Sequence, residues 1–235
     1  MATMPWIDNY VCDETAQTNA FDADLNSVDG LTWLPWVGCH YRIGGVLVVG
    51  ESDYAMNDMA TDNETSCEHI THDRQFVRKV IDRFGIRLDG YNPTIANIRR
   101  MLARDCDENG KTFTRVAFMD FCQRALSWEG DEKPLAADFV NGLPVVQSVI
   151  RILKPDIVLF AGLAATSAIQ GLSDIARLPE TVNQCRPWVG HIEGVDSVFI
   201  RHPSRYFAVG TWRKFLQDHF GDRVVNQGAY EGQLS

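Results

Sequence analysis

Val46-Leu47-Val48-Val49-Gly50-Glu51-Ser52-Asp53-Tyr54 is an apolar run that stops at a glycine and passes at once to two carboxylates. A short continuous apolar run with a turn signal behind it reads as a strand buried on both faces, and the glycine permits a sharp exit. Glu51 and Asp53 are therefore placed at the carboxyl end of a strand. In open α/β sheets ligands bind at that end, so the pair is a candidate site, although polar loops also follow strands for ordinary reasons.

Three further strands are expected downstream. Thr114 to Cys122 is rich in β-branched and aromatic residues and ends near Asp120; Asp156 to Ala161 leads into Gly162; Val198 to Arg201 leads into His202-Pro203-Ser204-Arg205-Tyr206. Between them the apolar residues recur at helical spacing. One helix is expected from Ser66, as its cap, to Gly85, with Ile70, Phe76, Val77, Val80, Ile81 and Phe84 on its apolar side. Others are expected over Asn92 to Arg104, the latter part of Pro134 to Leu153, Leu163 to Ile169 and Val209 to His219. Residues 171–194 read as loop, and 56–65 as a long polar loop suited to a lid or wall. Strands alternating with helices imply an α/β fold, here a three-layer α/β/α arrangement around a central four-stranded parallel sheet.

At 235 residues the chain suits one domain, read as an acidic arm over 1–30 followed by a single α/β domain over 31–235. The arm carries Asp8, Asp13, Glu14, Asp22, Asp24 and Asp29 with no Lys or Arg, so much of the net charge of -9 lies there. That balance opposes a nucleic-acid coat protein held by charge alone. Arg201, Arg205, Arg213, Lys214 and Arg223 nevertheless gather near the C-terminus and allow a local basic rim. With no leader-like N-terminus and no apolar run of membrane-spanning length, a soluble, cytoplasmic protein is expected. Six scattered cysteines form no Cys-x-x-Cys pair and read as reduced thiols. His69 and His72 lie three apart on one helix, but no third metal ligand is evident. Trp33, Trp36, Cys39, His40 and Tyr41 read chiefly as aromatics packed beneath a loop.

Gly50-Glu51-Ser52-Asp53-Tyr54 after the first strand and His202-Pro203-Ser204 after the last resemble the two signature motifs of the uracil-DNA glycosylase superfamily. In that family the first motif varies, for instance Gly-Gln-Asp-Pro-Tyr or Gly-Glu-x-Pro-Gly, and the second is commonly His-Pro-Ser. Val116 to Cys122 and Lys154 to Gly162 fall where the family places its middle strands, so the similarity spans about Val46 to Phe220.

The resemblance implies a uracil-DNA glycosylase-like fold and hydrolysis of the N-glycosidic bond between a base and deoxyribose in DNA, the nucleotide being flipped out first. Bond breaking places positive charge on the sugar and negative charge on the base. Glu51 matches the acidic position of the first motif and would stabilise the cation and orient water; His202 would donate toward the base O2. Asp53 competes with Glu51 for the water-binding role, or caps the loop. Tyr54 aligns with a tyrosine that walls the pocket beside the pyrimidine C5 atom, and Gly50 opens the motif. Ser204 would bind a phosphate, with Arg205 or Tyr206 entering the space the nucleotide vacates.

Asp120 departs from the family pattern, which usually has asparagine near this strand end. A carboxylate only accepts hydrogen bonds and so suits the cytosine N4 amino group. A different alignment puts Phe118 or Cys122 at that position. The expectation is a monofunctional DNA glycosylase, without metal or organic cofactor, that removes a modified pyrimidine and leaves an abasic site. Antiviral members of the superfamily that remove glucosyl-hydroxymethylcytosine from phage DNA are the subtype toward which Asp120 leans. A bulky C5 group would need Tyr54 turned aside and the loop at 56–65 opened. The alternatives are a uracil-DNA glycosylase, a non-catalytic DNA- or partner-binding member of the fold, and an enzyme acting on free nucleosides.

Overall fold

The computed structural model describes residues 20–55, 67–103, 111–127 and 132–224. In chain order these form α1 (Asp22–Asn26), β1 (Trp36–Val37), β2 (Val46–Gly50), β3 (Tyr54–Ala55), α2 (Cys67–His72), α3 (Phe76–Ile81) and α4 (Pro93–Leu102). There follow β4 (Ala117–Asp120), β5 (Leu126–Ser127), α5 (Ala136–Leu153), β6 (Ile157–Ala161), α6 (Thr166–Ile169), β7 (Asp174–Arg177), β8 (Trp188–Ile192), β9 (Val195–Phe199) and α7 (Val209–Phe220).

Val46, Leu47, Val48 and Val49 are almost wholly buried, each such side chain contributing about 1.5–3 kcal/mol of hydrophobic stabilisation. Alternate residues face opposite layers, as the two-residue repeat of a strand requires. Val46 and Val48 pack with Ile70 of α2, Phe76 of α3, Ile98 of α4 and Trp212 of α7. Leu47 and Val49 pack with Leu25 of α1, Val146 of α5 and Ile169 of α6. Helices thus cover both faces of a mixed sheet.

That sheet has seven strands in the order β1-β4-β2-β6-β9-β8-β7, where the sequence suggested four. β2 pairs parallel with both β4 and β6, and β6 pairs parallel with β9. The additional strands are antiparallel: β1 on β4, β8 on β9 and β7 on β8. β3 and β5 pair separately. Residues 171–194 therefore hold two strands that periodicity misses. Three of the four residues of β7 are exposed, so it has no apolar signature. Gly190 interrupts β8 because a Cβ there would meet the Asp174 carbonyl oxygen at 1.8 Å. The β8–β9 hairpin closes through Glu193 (φ 54) and Gly194 (φ 74), the two left-handed residues that a type I′ turn demands.

The helix expected from Ser66 to Gly85 divides. Ser66 lies outside the described residues, as does the loop at 56–65. After α2, Asp73 Oδ1 accepts the Gln75 N–H at 3.0 Å and starts α3. The Arg74 carbonyl, freed from any helix, accepts the Leu34 N–H at 2.8 Å. α4 begins as its sequence suggests: Asn92 Oδ1 accepts from Thr94 N–H and Ile95 N–H, with Pro93 in the first turn. The second strand is shorter than expected because Lys111–Thr114 is a 3₁₀ turn. α5 is long and apolar enough, by length and composition, to cross a membrane; here its residues Phe139, Leu143, Val146, Val149 and Leu153 lie in the core.

Trp33 and Trp36 are core residues, their indole N–H groups donating to the Ile70 and Phe113 carbonyl oxygens. Of the acidic arm, residues 20–30 fall within the described part, and they are folded onto the domain. Leu25 is fully buried. Asp22, 8% exposed, makes a two-pronged ion pair with Arg78, 3% exposed, at 2.5 and 3.1 Å. Arg78 Nε also donates to the Pro35 carbonyl oxygen at 2.9 Å, joining α1, α3 and the chain before β1. Removing one member of such a pair strands a buried charge. Asp22→Ala is expected to cost about 3–5 kcal/mol in urea unfolding; a midpoint equal to the parent's would show that Arg78 does not depend on Asp22.

Candidate active site

The carboxyl ends of β4, β2, β6 and β9 lie side by side along one edge. β2 and β6 are neighbours, yet the chain leaves them toward opposite faces: from β2 to the layer of α2, α3 and α4, and from β6 to α6 in the other layer. Such a divergence opens a crevice, and it is the usual ligand position in open α/β sheets.

Glu51 occupies this crevice. Gly50 is paired with both Asp120 and Ala161, and the ladder runs on as Phe121 N–H donates to the Gly50 carbonyl oxygen and Cys122 N–H to that of Glu51. The Glu51 backbone is thereby held in register with the strand ends. Its side chain crosses onto Gly162, where an added Cβ would fall 2.0 to 2.1 Å from Glu51 Cδ, Cγ and Oε1. Only glycine leaves that space. Oε1 accepts the Ala164 N–H at 2.6 Å. Burial pushes the carboxyl above its ordinary range, while the Ala164 and Leu163 N–H groups pull it back.

Asp120 closes β4 opposite Gly50. A Cβ on Gly50 would lie 2.5 Å from Asp120 Oδ1 and 3.1 Å from Phe118 Cζ, so the glycine makes room for both. Asp120 is 3% exposed, and its Oδ2 has no hydrogen-bond partner among the described residues. Burial foremost, then the charge of Asp53, raises its carboxyl well above the ordinary aspartate range. The acceptor-only carboxylate expected from the sequence is thus replaced by a group that favours its protonated form, with one O–H donor beside an acceptor oxygen. Phe118 is a core side chain set edge-on to Phe113 at 6.4 Å. Cys122 is buried as well, its thiol pushed up to about 11 mainly by burial.

Asp53 sits on the adjoining loop and fixes it through its carbonyl oxygen, which accepts the Leu126 N–H at 3.1 Å. Tyr54 follows in β3, paired with Leu126, but its side chain lies outside the described residues. His202 comes three residues beyond Phe199, the β9 partner of Phe160 in β6. Two strand spacings, about 10 Å, separate the β2 and β9 ends, with β6 and Gly162 between them. His202 is partly buried, and that burial holds its imidazole below the ordinary range and so neutral. Ser204, Arg205 and Tyr206 are exposed, Tyr206 by 94% and with φ 64.

Two side chains that position this edge carried no motif signal. Gln123 donates through Nε2 to the Asp120 carbonyl oxygen at 2.5 Å and accepts the Thr32 N–H at 3.0 Å. Asn97 in α4 donates to the carbonyl oxygens of Pro203 and Ser204. The only hint of Asn97 was a weak helix former set among buried apolar neighbours. Among the described residues no group of three or more His, Cys, Asp and Glu stands together as a metal site. No protein-family model matches this chain, and no curated protein matches it.

Because the folded state binds the Asp120 proton more tightly than the unfolded state does, this residue contributes stability at low pH. The contribution is lost as pH rises from about 3.9, the unfolded value, through the raised folded value. Asp120→Asn should therefore raise Tm at pH 8 and bring a smaller gain, or none, near pH 4. Equal shifts at both pH values, in a thermal melt, would show that Asp120 titrates as an ordinary carboxylate.

Proposed function

We propose that this chain is a monofunctional DNA glycosylase that hydrolyses the N-glycosidic bond of a flipped-out modified pyrimidine and leaves an abasic site. The observation that carries the reading is the shared edge: a carboxyl group cradled over Gly162 and a neutral imidazole two strands away, with a buried acid beside them whose Oδ2 has no partner among the described residues. An extruded nucleotide between Glu51 and His202 would have its sugar next to the carboxylate and its base next to donors.

The reaction draws on these residues in order. The C1′–N1 bond breaks with its electron pair going to the base, and His202, neutral, donates a hydrogen bond to the base O2, where negative charge gathers. Glu51 faces the sugar, stabilises its positive charge and directs a water onto C1′. The water proton passes to the carboxylate or the departing base, and a hydroxyl remains on C1′. The Ala164 and Leu163 N–H groups oppose the effect of burial on Glu51 and so favour the ionised form this role needs. Asp53 stays the neighbouring carboxylate whose charge, after burial, adds to holding the proton on Asp120.

Protonated Asp120 meets cytosine with a donor toward N3 and an acceptor for the N4 amino group. The same pair, turned over, meets uracil O4 and N3–H, so uracil removal is the second reading that this residue favours. Beyond the strand ends, Ser204, Arg205 and Tyr206 form the exposed rim suited to the DNA backbone and the vacated stack.

DNA containing uracil, methylcytosine, hydroxymethylcytosine or glucosyl-hydroxymethylcytosine, assayed for alkali-labile abasic sites, tests the proposal; no product from any of them would rule it out. With product in hand, Glu51→Gln and His202→Ala should each lower kcat by at least about a hundredfold, the scale of general acid–base and charge-stabilising groups. The acid limb of the kcat/KM profile should lie above the ordinary glutamate value, because Glu51 is raised by burial. A limb at that ordinary value would assign the limb to another group.

A further inference from the structure

We infer that Asn97 is the positioning residue that shapes the turn from His202 to Tyr206 for contact with substrate, an inference that rests on the glycosylase reading above. Asn97 is 7% exposed and stands on α4, more than a hundred residues from the turn in sequence. Its Nδ2 donates to the Pro203 carbonyl oxygen at 3.1 Å and to that of Ser204 at 3.0 Å. A side-chain amide carries two N–H donors in one plane, which suits two successive carbonyls.

The turn needs an outside anchor for a chemical reason. Pro203 has no N–H to offer and is buried, so the segment can be tied down there only through its carbonyl oxygens. The turn's own bonds are few: Ser204 N–H to the His202 carbonyl oxygen at 2.9 Å, and Phe207 N–H to that of Ser204 at 3.3 Å. On the far side Phe207 stacks on Trp212, with ring centroids 5.9 Å apart and planes within 6°. Between these two anchors the backbone turns Ser204, Arg205 and Tyr206 outward, and Tyr206 takes a left-handed conformation that a bulky side chain rarely adopts. Asn97 grips one end of this segment, next to His202.

Asn97→Asp keeps the shape and removes both donors, and Asn97→Ala removes the side chain. By hydrogen exchange, the Ser204 and Phe207 amides should exchange at least tenfold faster in both variants, while those of Val46 to Val49 stay as in the parent. On whichever DNA substrate the parent cleaves, kcat/KM should fall at least tenfold. Asn97→Ala combined with Tyr206→Ala should be no worse than Asn97→Ala alone, because a turn already out of place no longer presents Tyr206. Asn97→Gln, which keeps both donors on a chain one methylene longer, should fold and show a smaller loss in the same direction, and it carries the test if the other two variants do not fold. Parent-like exchange in the turn, parent-like kcat/KM despite faster exchange, or additive losses in the double variant would each overturn the inference. A parent inactive on every base would remove the glycosylase reading, and turn exchange would then decide by itself whether Asn97 is a clamp.

Discussion

The close approach of Glu51 to Gly162 is the contact around which this edge of the molecule is arranged. It requires β2 and β6 to be neighbours in parallel register, so that the residue after one strand lies beside the residue after the other. It also requires that the second residue have no Cβ. The register comes from two rows of hydrogen bonds on either side of β2, one to β4 and one to β6. A slip of one residue would turn the buried valines of β2 toward the wrong layer, which makes that register costly to change.

Loss of water acts on three groups here, with different results. Glu51 is desolvated but receives backbone N–H groups at the start of the segment after β6, so its charge is partly compensated. Asp120 receives no such compensation at Oδ2 and stands near a second carboxylate, so its neutral form is favoured. His202 is driven the other way, since burial penalises the imidazolium. One shared cause, burial at the strand ends, thus disfavours the charged form of all three groups, and at Glu51 backbone N–H groups oppose it.

Support for this edge comes from behind it. Gln123 ties the carbonyl oxygen of Asp120 to the backbone of Thr32, so the segment after α1 reaches the strand end through one side chain. Arg124 binds both Asp138 oxygens and Glu132, fixing the loop after β4 against the start of α5. The Asp22–Arg78 pair then anchors α1 itself. The Gln123–Thr32 and Asp22–Arg78 contacts join parts far apart in the chain, and no local pattern encodes them.

What the sequence determined by itself was whatever local chemistry dictates. The run Val46 to Gly50 could be little other than a buried strand, and the segment from Asn92 a helix. The polar residues after each apolar strand were legible for the same reason, and so were Glu51 and His202 as candidates. The mostly exposed β7 and the glycine-interrupted β8 were not, because their pairing depends on partners that no periodicity encodes. Nor could spacing show that α4 would send Asn97 to the His202 turn, or that Asp120 would sit buried beside Asp53 and favour its proton. Those outcomes depend on which groups lose water together, and only the packed chain decides that.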